Sequence, residues 1–137
     1  MPDRKMEIQY KINAAVEAQD VAELFRRANL KRPSDNLERI GRMMANANLT
    51  VTAWDCEKLV GIARALTDFA YCCYLSDLAV DCDYQKQGIG QELVRIVQEE
   101  IGEEVMLLLL SVPDAMTYYP KIGFEKVENG WTIPRKR

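Results

Sequence analysis

The sequence predicts an α/β fold of the α+β kind: one mixed, largely antiparallel sheet with helices on both faces. Three observations predict it. Strand-like runs in the first half follow one another by short connections, which makes neighbours antiparallel. The stretch from Tyr71 to Ser111 reads strand, glycine loop, helix, strand, a βαβ unit whose two strands must be parallel. Amphipathic helical patterns lie both before the middle strands and after them, so each face has a cover. The chain has 137 residues and shows no repeat, linker or low-complexity stretch, so residues 1–137 are expected to form one domain.

The elements follow in order. "MEIQYKI" (Met6 to Ile12) alternates apolar and polar residues and reads as a first strand. Asp20, with Glu23 three residues on, is an N-cap signal for a helix whose Val21, Leu24, Phe25 and Ala28 share a face. "RPSDN" breaks that helix, and Ser34 or Asp35 can cap a second one carrying Leu37, Ile40, Met43 and Met44. "LTVTAWD" and "LVGIARALTD", joined at "CEK", form a hairpin. "YCCYLSDLAV" (Tyr71 to Val80) is the next strand, followed by the glycine loop and a helix through Leu93, Val94, Val97 and Ile101. Val105 to Ser111 reads as a buried strand, Ala115 to Tyr118 as a short helix, and "GFEKVE" and "WTIP" as closing strands.

Composition narrows the function classes. Hydrophobic residues make up 48% and charged residues 28%, which excludes disorder and coiled coil. No apolar run approaches the ~20 residues of a membrane span, and "MPDRKMEIQY" lacks the apolar core of a secretory leader, so a cytoplasmic protein without a membrane role is expected. A net charge of −3 provides no basic field for nucleic acid. The chain has no histidine, which removes Cys/His nucleophiles and histidine-based metal sites. Cys56, Cys72, Cys73 and Cys82 fit no zinc spacing and read as reduced structural thiols, so no metal is expected.

The stretch "DYQKQGIGQEL" (Asp83 to Leu93) concentrates the chemistry. A P-loop needs a lysine after its second glycine, whereas Gly90 is followed by Gln91 and Glu92. A dinucleotide fingerprint needs a third glycine where Leu93 stands, and it belongs after the first strand of its domain. Two readings remain. Gly88 and Gly90 can let a pyrophosphate reach the unpaired N–H groups of the following helix, with Gln85, Lys86 and Gln87 at the rim. Alternatively, the glycines only make a tight βα turn.

"LAVDCDYQKQGIGQELV" (Leu78 to Val94) resembles the acetyl-CoA-binding segment of the GNAT N-acetyltransferase superfamily, whose Gln/Arg-x-x-Gly-x-Gly/Ala signature is matched by Gln85, Gly88 and Gly90. A second block, "AMTYYPKIGF" (Ala115 to Phe124), resembles the superfamily's Ala-x-x-Phe-Tyr-x-x-x-Gly-Phe segment at the expected distance downstream. The order of strands and helices fits that family over almost the whole chain.

The resemblance implies a sheet with two splayed parallel central strands and acetyl-CoA as cosubstrate. It implies that the pyrophosphate rests on backbone N–H groups of Lys86, Gln87, Gly88, Ile89, Gly90 and Gln91, and that the pantetheine pairs with backbone at Leu78, Ala79 and Val80. A backbone N–H near Val80 would polarise the thioester oxygen. Tyr119 matches the tyrosine that protonates the departing thiolate, with Tyr118 beside it as packing. Two departures stand out: Pro120 places Tyr119 before a proline, a position that avoids helical angles, and Val112 replaces a frequent asparagine.

Strand alternation puts Tyr74, Ser76 and Leu78 on one face and Leu75, Asp77 and Ala79 on the other. Asp77 is the expected base, reached through water, with Asp68 as an alternative terminus. Asp35, Asp68, Phe69 and Tyr71, with Tyr74 and Ser76, are the expected lining of an acceptor pocket suited to a cationic amine. The expected activity is acetyl transfer to a primary amine of a small molecule. Transfer to protein lysine or N-termini, and non-catalytic acyl-CoA binding, are the alternatives. Relatives are often dimers, and the terminal strands with Trp131 offer an interface.

Overall fold

The computed structural model describes residues 7–137, the side chain of Asp114 excepted; Met6 and the leader-like first residues lie outside that range. The elements are β1 (Ile8–Ile12), α1 (Ala18–Arg27), α2 (Leu37–Asn46), β2 (Leu49–Asp55), β3 (Lys58–Thr67), β4 (Cys72–Val80), α3 (Ile89–Ile101), β5 (Met106–Leu109) and α4 (Tyr118–Lys121). They form one five-stranded sheet in the order β1-β2-β3-β4-β5, antiparallel except for the parallel pair β4–β5. The fold class expected from the sequence is thus present. No helix among the described residues is long and apolar enough to cross a membrane.

Each face buries its own core. On one, Leu93, Val94, Val97 and Ile101 of α3 pack on Val51, Ala53, Ala63 and Ala65 of the sheet. On the other, Val21, Leu24 and Phe25 of α1 and Ile40 of α2 pack on Leu59, Ile62 and Ala79. Gly61 lets the start of α3 settle on the sheet, because a Cβ there would stand 3.2 Å from Ile89 and from Leu93.

Three local expectations shift by a few residues. Helix α1 begins at Ala18 after Glu17, so Asp20 lies in its first turn rather than at its cap. Asn36, not Ser34 or Asp35, caps α2 by accepting from the Arg39 N–H at 3.0 Å. Asn29 takes a left-handed φ of 55°, and the Leu30 N–H returns to the Phe25 carbonyl at 3.0 Å, which turns the α1–α2 loop back over the sheet.

The C-terminal part departs further. "GFEKVE" and "WTIP" form no strands, and Trp131 is 97% exposed. β5 is therefore an edge strand rather than a central one, only four residues long, with Met106 59% and Leu110 68% exposed, not the buried strand expected from "VMLLLLSV". Tyr119 is helical despite Pro120, because Pro120 falls in the first turn of α4, where the missing N–H has no partner to lose.

Candidate active site

β4 is two half-strands joined by a bulge. Ala65 pairs with Leu75 and Arg64 with Asp77, which leaves Ser76 as an extra residue on β4. The bulge resets the alternation. Cys73 and Leu75 face the α3 core, and so do Leu78 and Val80, while Ala79 faces α1. The expected faces, with Leu75 opposite Leu78, are corrected by this one residue. Pairing with β5 spans Cys72–Leu75 opposite Met106–Leu109 and stops there. Ser76 to Val80 therefore have no neighbouring strand on that side, and the parallel pair splays open.

A cavity of about 670 Å³ fills the splay. Its walls come from four places: Ala28 to Arg32 of the α1–α2 loop, Leu75 to Val80 of β4, Tyr84 to Gln91 of the glycine loop, and Leu109 to Tyr119 after β5. Leu78, Ala79, Val80, Gln85, Lys86, Gly88, Ile89, Gly90 and Gln91 all line it; of the expected cofactor residues only Gln87 does not.

The glycine loop is built for backbone exposure. Lys86 at φ 66° and Gly88 at φ 81° both take left-handed conformations, and Gly88 starts α3 without a capping side chain. The first intrahelical bond runs from the Glu92 N–H to the Gly88 carbonyl, so the amides before it are open donors at the positive end of a 13-residue helix. A Cβ at Gly90 would stand 2.9 Å from the Tyr118 hydroxyl and 3.7 Å from Val80. These features fit an anionic phosphate at the loop and an extended chain along the open edge of β4. Gln85 closes the loop onto that edge by donating to the Val80 carbonyl at 3.1 Å.

Asp81 holds the base of the loop. One oxygen accepts from the Asp83 N–H at 2.9 Å, and Lys58 and Arg27 stand 3.6 and 3.8 Å from the other. Asp81, Cys82 and Asp83 cluster in a way that resembles a metal site, but the two cations already neutralise it.

The two tyrosines of α4 both face the cavity, Tyr118 as well as Tyr119. Their rings meet edge-on at 5.3 Å, and Tyr119 meets Phe124 at 5.5 Å. Burial, together with the neighbouring Tyr118, pushes the Tyr119 hydroxyl above its ordinary pKa of 10.0, against an opposing pull from the Arg32 cation. It therefore stays protonated throughout the neutral range.

Two base assignments are corrected. Asp77 is fully buried on the α1 side of β4, and both of its oxygens are engaged: Arg32 Nε donates to one at 2.6 Å, and Arg64 Nε donates to the other. No lone pair of Asp77 faces the cavity. Asp68 belongs to the β3–β4 hairpin, at the far end of β4, where one oxygen accepts from the N–H groups of Ala70, Tyr71 and Cys72 at 2.7 to 3.0 Å. Those backbone donors hold its pKa down at about 2.

Of the expected acceptor residues, only Ser76 lines the cavity. Asp35 is exposed and paired with Arg26 at 2.9 Å, Asp68 and Phe69 sit on the hairpin, and Tyr74 lies beyond the bulge. The sequence reading missed Arg32. Its signal was a single carboxylate, Asp77, in an otherwise apolar strand, which cannot be buried without a cation.

Residues 8–131 match the acetyltransferase (GNAT) domain family. A GCN5-related N-acetyltransferase 2, chloroplastic, from Arabidopsis thaliana is 34% identical over 79 residues, 54% of this chain and 30% of that protein, so the chain spans under a third of that relative's length. A Staphylococcus aureus protein described as a probable acetyltransferase shares the fold with a TM-score of 0.81 at 24% identity, covering 94% of this chain and all of the other. The aminoglycoside N-acetyltransferase AAC(6')-Iy, solved with CoA, shares it with a TM-score of 0.74 at 15% identity, covering the whole of both chains. The bulged and splayed strand, the glycine loop and the paired tyrosines thus belong to a chain of the GNAT acetyltransferase domain family.

Proposed function

We propose that the protein is an acetyl-CoA-dependent N-acetyltransferase acting on a primary amine of a small molecule. The observation that carries this reading is one continuous cavity joining the open amides of α3, the unpaired edge of β4 and Tyr119. Acetyl-CoA supplies a thioester whose carbonyl carbon an amine can attack without a covalent enzyme intermediate. The amides of Lys86 to Gln91 hold the pyrophosphate. The edge from Leu78 to Val80 pairs with the pantetheine and aims a backbone N–H near Val80 at the thioester oxygen.

As the C–N bond forms and the C–S bond breaks, Tyr119 gives its proton to the departing sulfur. The amine's own proton leaves to water, since no carboxylate lines the cavity and neither Asp77 nor Asp68 has an oxygen turned toward it. The loop and the acceptor share about 670 Å³, which favours a small acceptor. Dimerisation is the assembly suggested by the unpaired edge of β5 and the exposed Trp131 and Ile133.

Thermal shift with acetyl-CoA tests the cofactor. Ligand at 100 times its dissociation constant stabilises the native state by about 2.7 kcal/mol, and a folded variant with Gly88 and Gly90 replaced should show no shift. Absence of a shift in the wild type at millimolar ligand overturns the proposal. Turnover that survives Tyr119→Phe undiminished would remove Tyr119 from the chemistry.

A further inference from the structure

We infer that the acceptor carries a carboxylate close to its amine, as an amino acid does, and that Arg32 recognises it. This rests on the acetyltransferase reading and names its substrate class. The charged side chains on the cavity wall are Arg32 and Lys86, and among the described residues no aspartate or glutamate joins them. Lys86 stands in the glycine loop, at the cofactor end. Arg32 comes from the α1–α2 loop, on the opposite wall.

The charge at Arg32 is not cancelled. Arg32 and Arg64 share a single carboxylate, Asp77, so the buried triad retains one net positive charge. Arg64 is the inner member, with its side chain 8% exposed, whereas that of Arg32 is 25% exposed. The surplus charge therefore surfaces in the cavity.

Arg32 also has donors to spare. Nε donates to Asp77 at 2.6 Å, Nη2 to the Ser76 carbonyl at 2.9 Å and Nη1 to the Lys31 carbonyl at 2.6 Å. A guanidinium has five N–H donors, so one hydrogen on each Nη is left over, in the planar fork that matches a carboxylate. The same contacts clamp the fork, so little side-chain freedom is lost on binding. Arg32 is also the one cation acting on the Tyr119 hydroxyl, which puts the anion site beside the point of transfer. A polycationic acceptor would meet this wall with no counter-charge, at the cost of like-charge repulsion.

The test measures thiol release from acetyl-CoA with the full chain and matched acceptors: phenylalanine, methionine and glutamate, their carboxamides, and the amines left by removing the α-carboxylate. Spermidine, an aminoglycoside and a lysine-containing peptide complete the panel. The inference expects kcat/KM for carboxylates about tenfold or more above the matched carboxamides, the scale of a charge-assisted hydrogen bond. In Arg32→Gln, which leaves Asp77 paired with Arg64, that ratio should collapse toward one. Equal turnover of carboxamides, preference for spermidine, the aminoglycoside or the peptide, or a ratio untouched in Arg32→Gln would overturn it.

A second measurement decides the matter without turnover. Thermal shift with N-acetyl amino acids against their carboxamides, in the presence of CoA, should favour the carboxylate products in the wild type and not in Arg32→Gln; equal shifts overturn the inference. Acetyl-CoA binding alone reports on the underlying reading, so the two failures are separable.

Discussion

The two halves of β4 show how one strand becomes both scaffold and site. From Cys72 to Leu75 it is paired on both sides, with β3 and with β5, and its backbone groups are consumed by the sheet. From Ser76 to Val80 it is paired only with β3, and its free edge forms a wall of the cavity. The residue types hardly differ between the halves. What separates them is the bulge at Ser76, which bends the strand, resets its faces and ends the contact with β5. The clamp from Arg64 Nη2 to the Ser76 hydroxyl at 3.0 Å and from Arg32 to the Ser76 carbonyl at 2.9 Å holds that distortion in place.

The comparison can be broken most severely through the clamp. Asp77→Ala leaves two largely buried guanidiniums without their carboxylate and should destabilise the fold by about 3–5 kcal/mol, read as a large loss in chemical denaturation. A functional base would instead be expected to lose turnover with stability intact. Next in size, Tyr119→Phe should lower kcat about 10²-fold while acetyl-CoA binding persists. Because burial holds the Tyr119 hydroxyl above 10.0, the wild-type pH–rate profile should rise with deprotonation of the acceptor amine and show no descending limb below that pH.

Smaller changes sharpen the contrast. Gly88→Ala forces a side chain into φ 81° and should cost about 1–2 kcal/mol, together with a weakened acetyl-CoA shift. Ser76→Ala removes the hydroxyl that accepts from Arg64 and should cost about 1 kcal/mol. The smallest effect belongs to the closed end of the strand. Asp68 has its pKa lowered from 3.8 to about 2, so its contribution is fully present above pH 4 and is lost as pH falls through 2. Asp68→Asn should therefore lower Tm slightly at pH 7, with the gap to wild type closing between pH 4 and 2, and leave acetyl-CoA affinity untouched.

Sequence reading was most dependable where the chemistry is local and carried by the backbone. The glycine loop was legible because Gly88 and Gly90 sit between a strand and a helix, and a helix start exposes its amides wherever it occurs. It was least dependable for side chains whose role is assigned by distant partners. Asp77 looked like a base until Arg32, 45 residues away, and Arg64 engaged both of its oxygens. Asp35 and Asp68 looked like an acidic pocket, yet one pairs with Arg26 and the other caps a turn.

The sequence by itself determined the order of the elements, the parallel βαβ unit, the glycine loop and the family, because periodicity, turn chemistry and motif spacing are properties of neighbouring residues. Only the tertiary structure decided that β5 stays at the edge, that one extra residue in β4 exchanges its faces, and that the cavity wall is cationic. A bulge is a mismatch between two strands, and the sign of a pocket is the balance left after distant charges have paired. Neither exists until the chain has closed on itself.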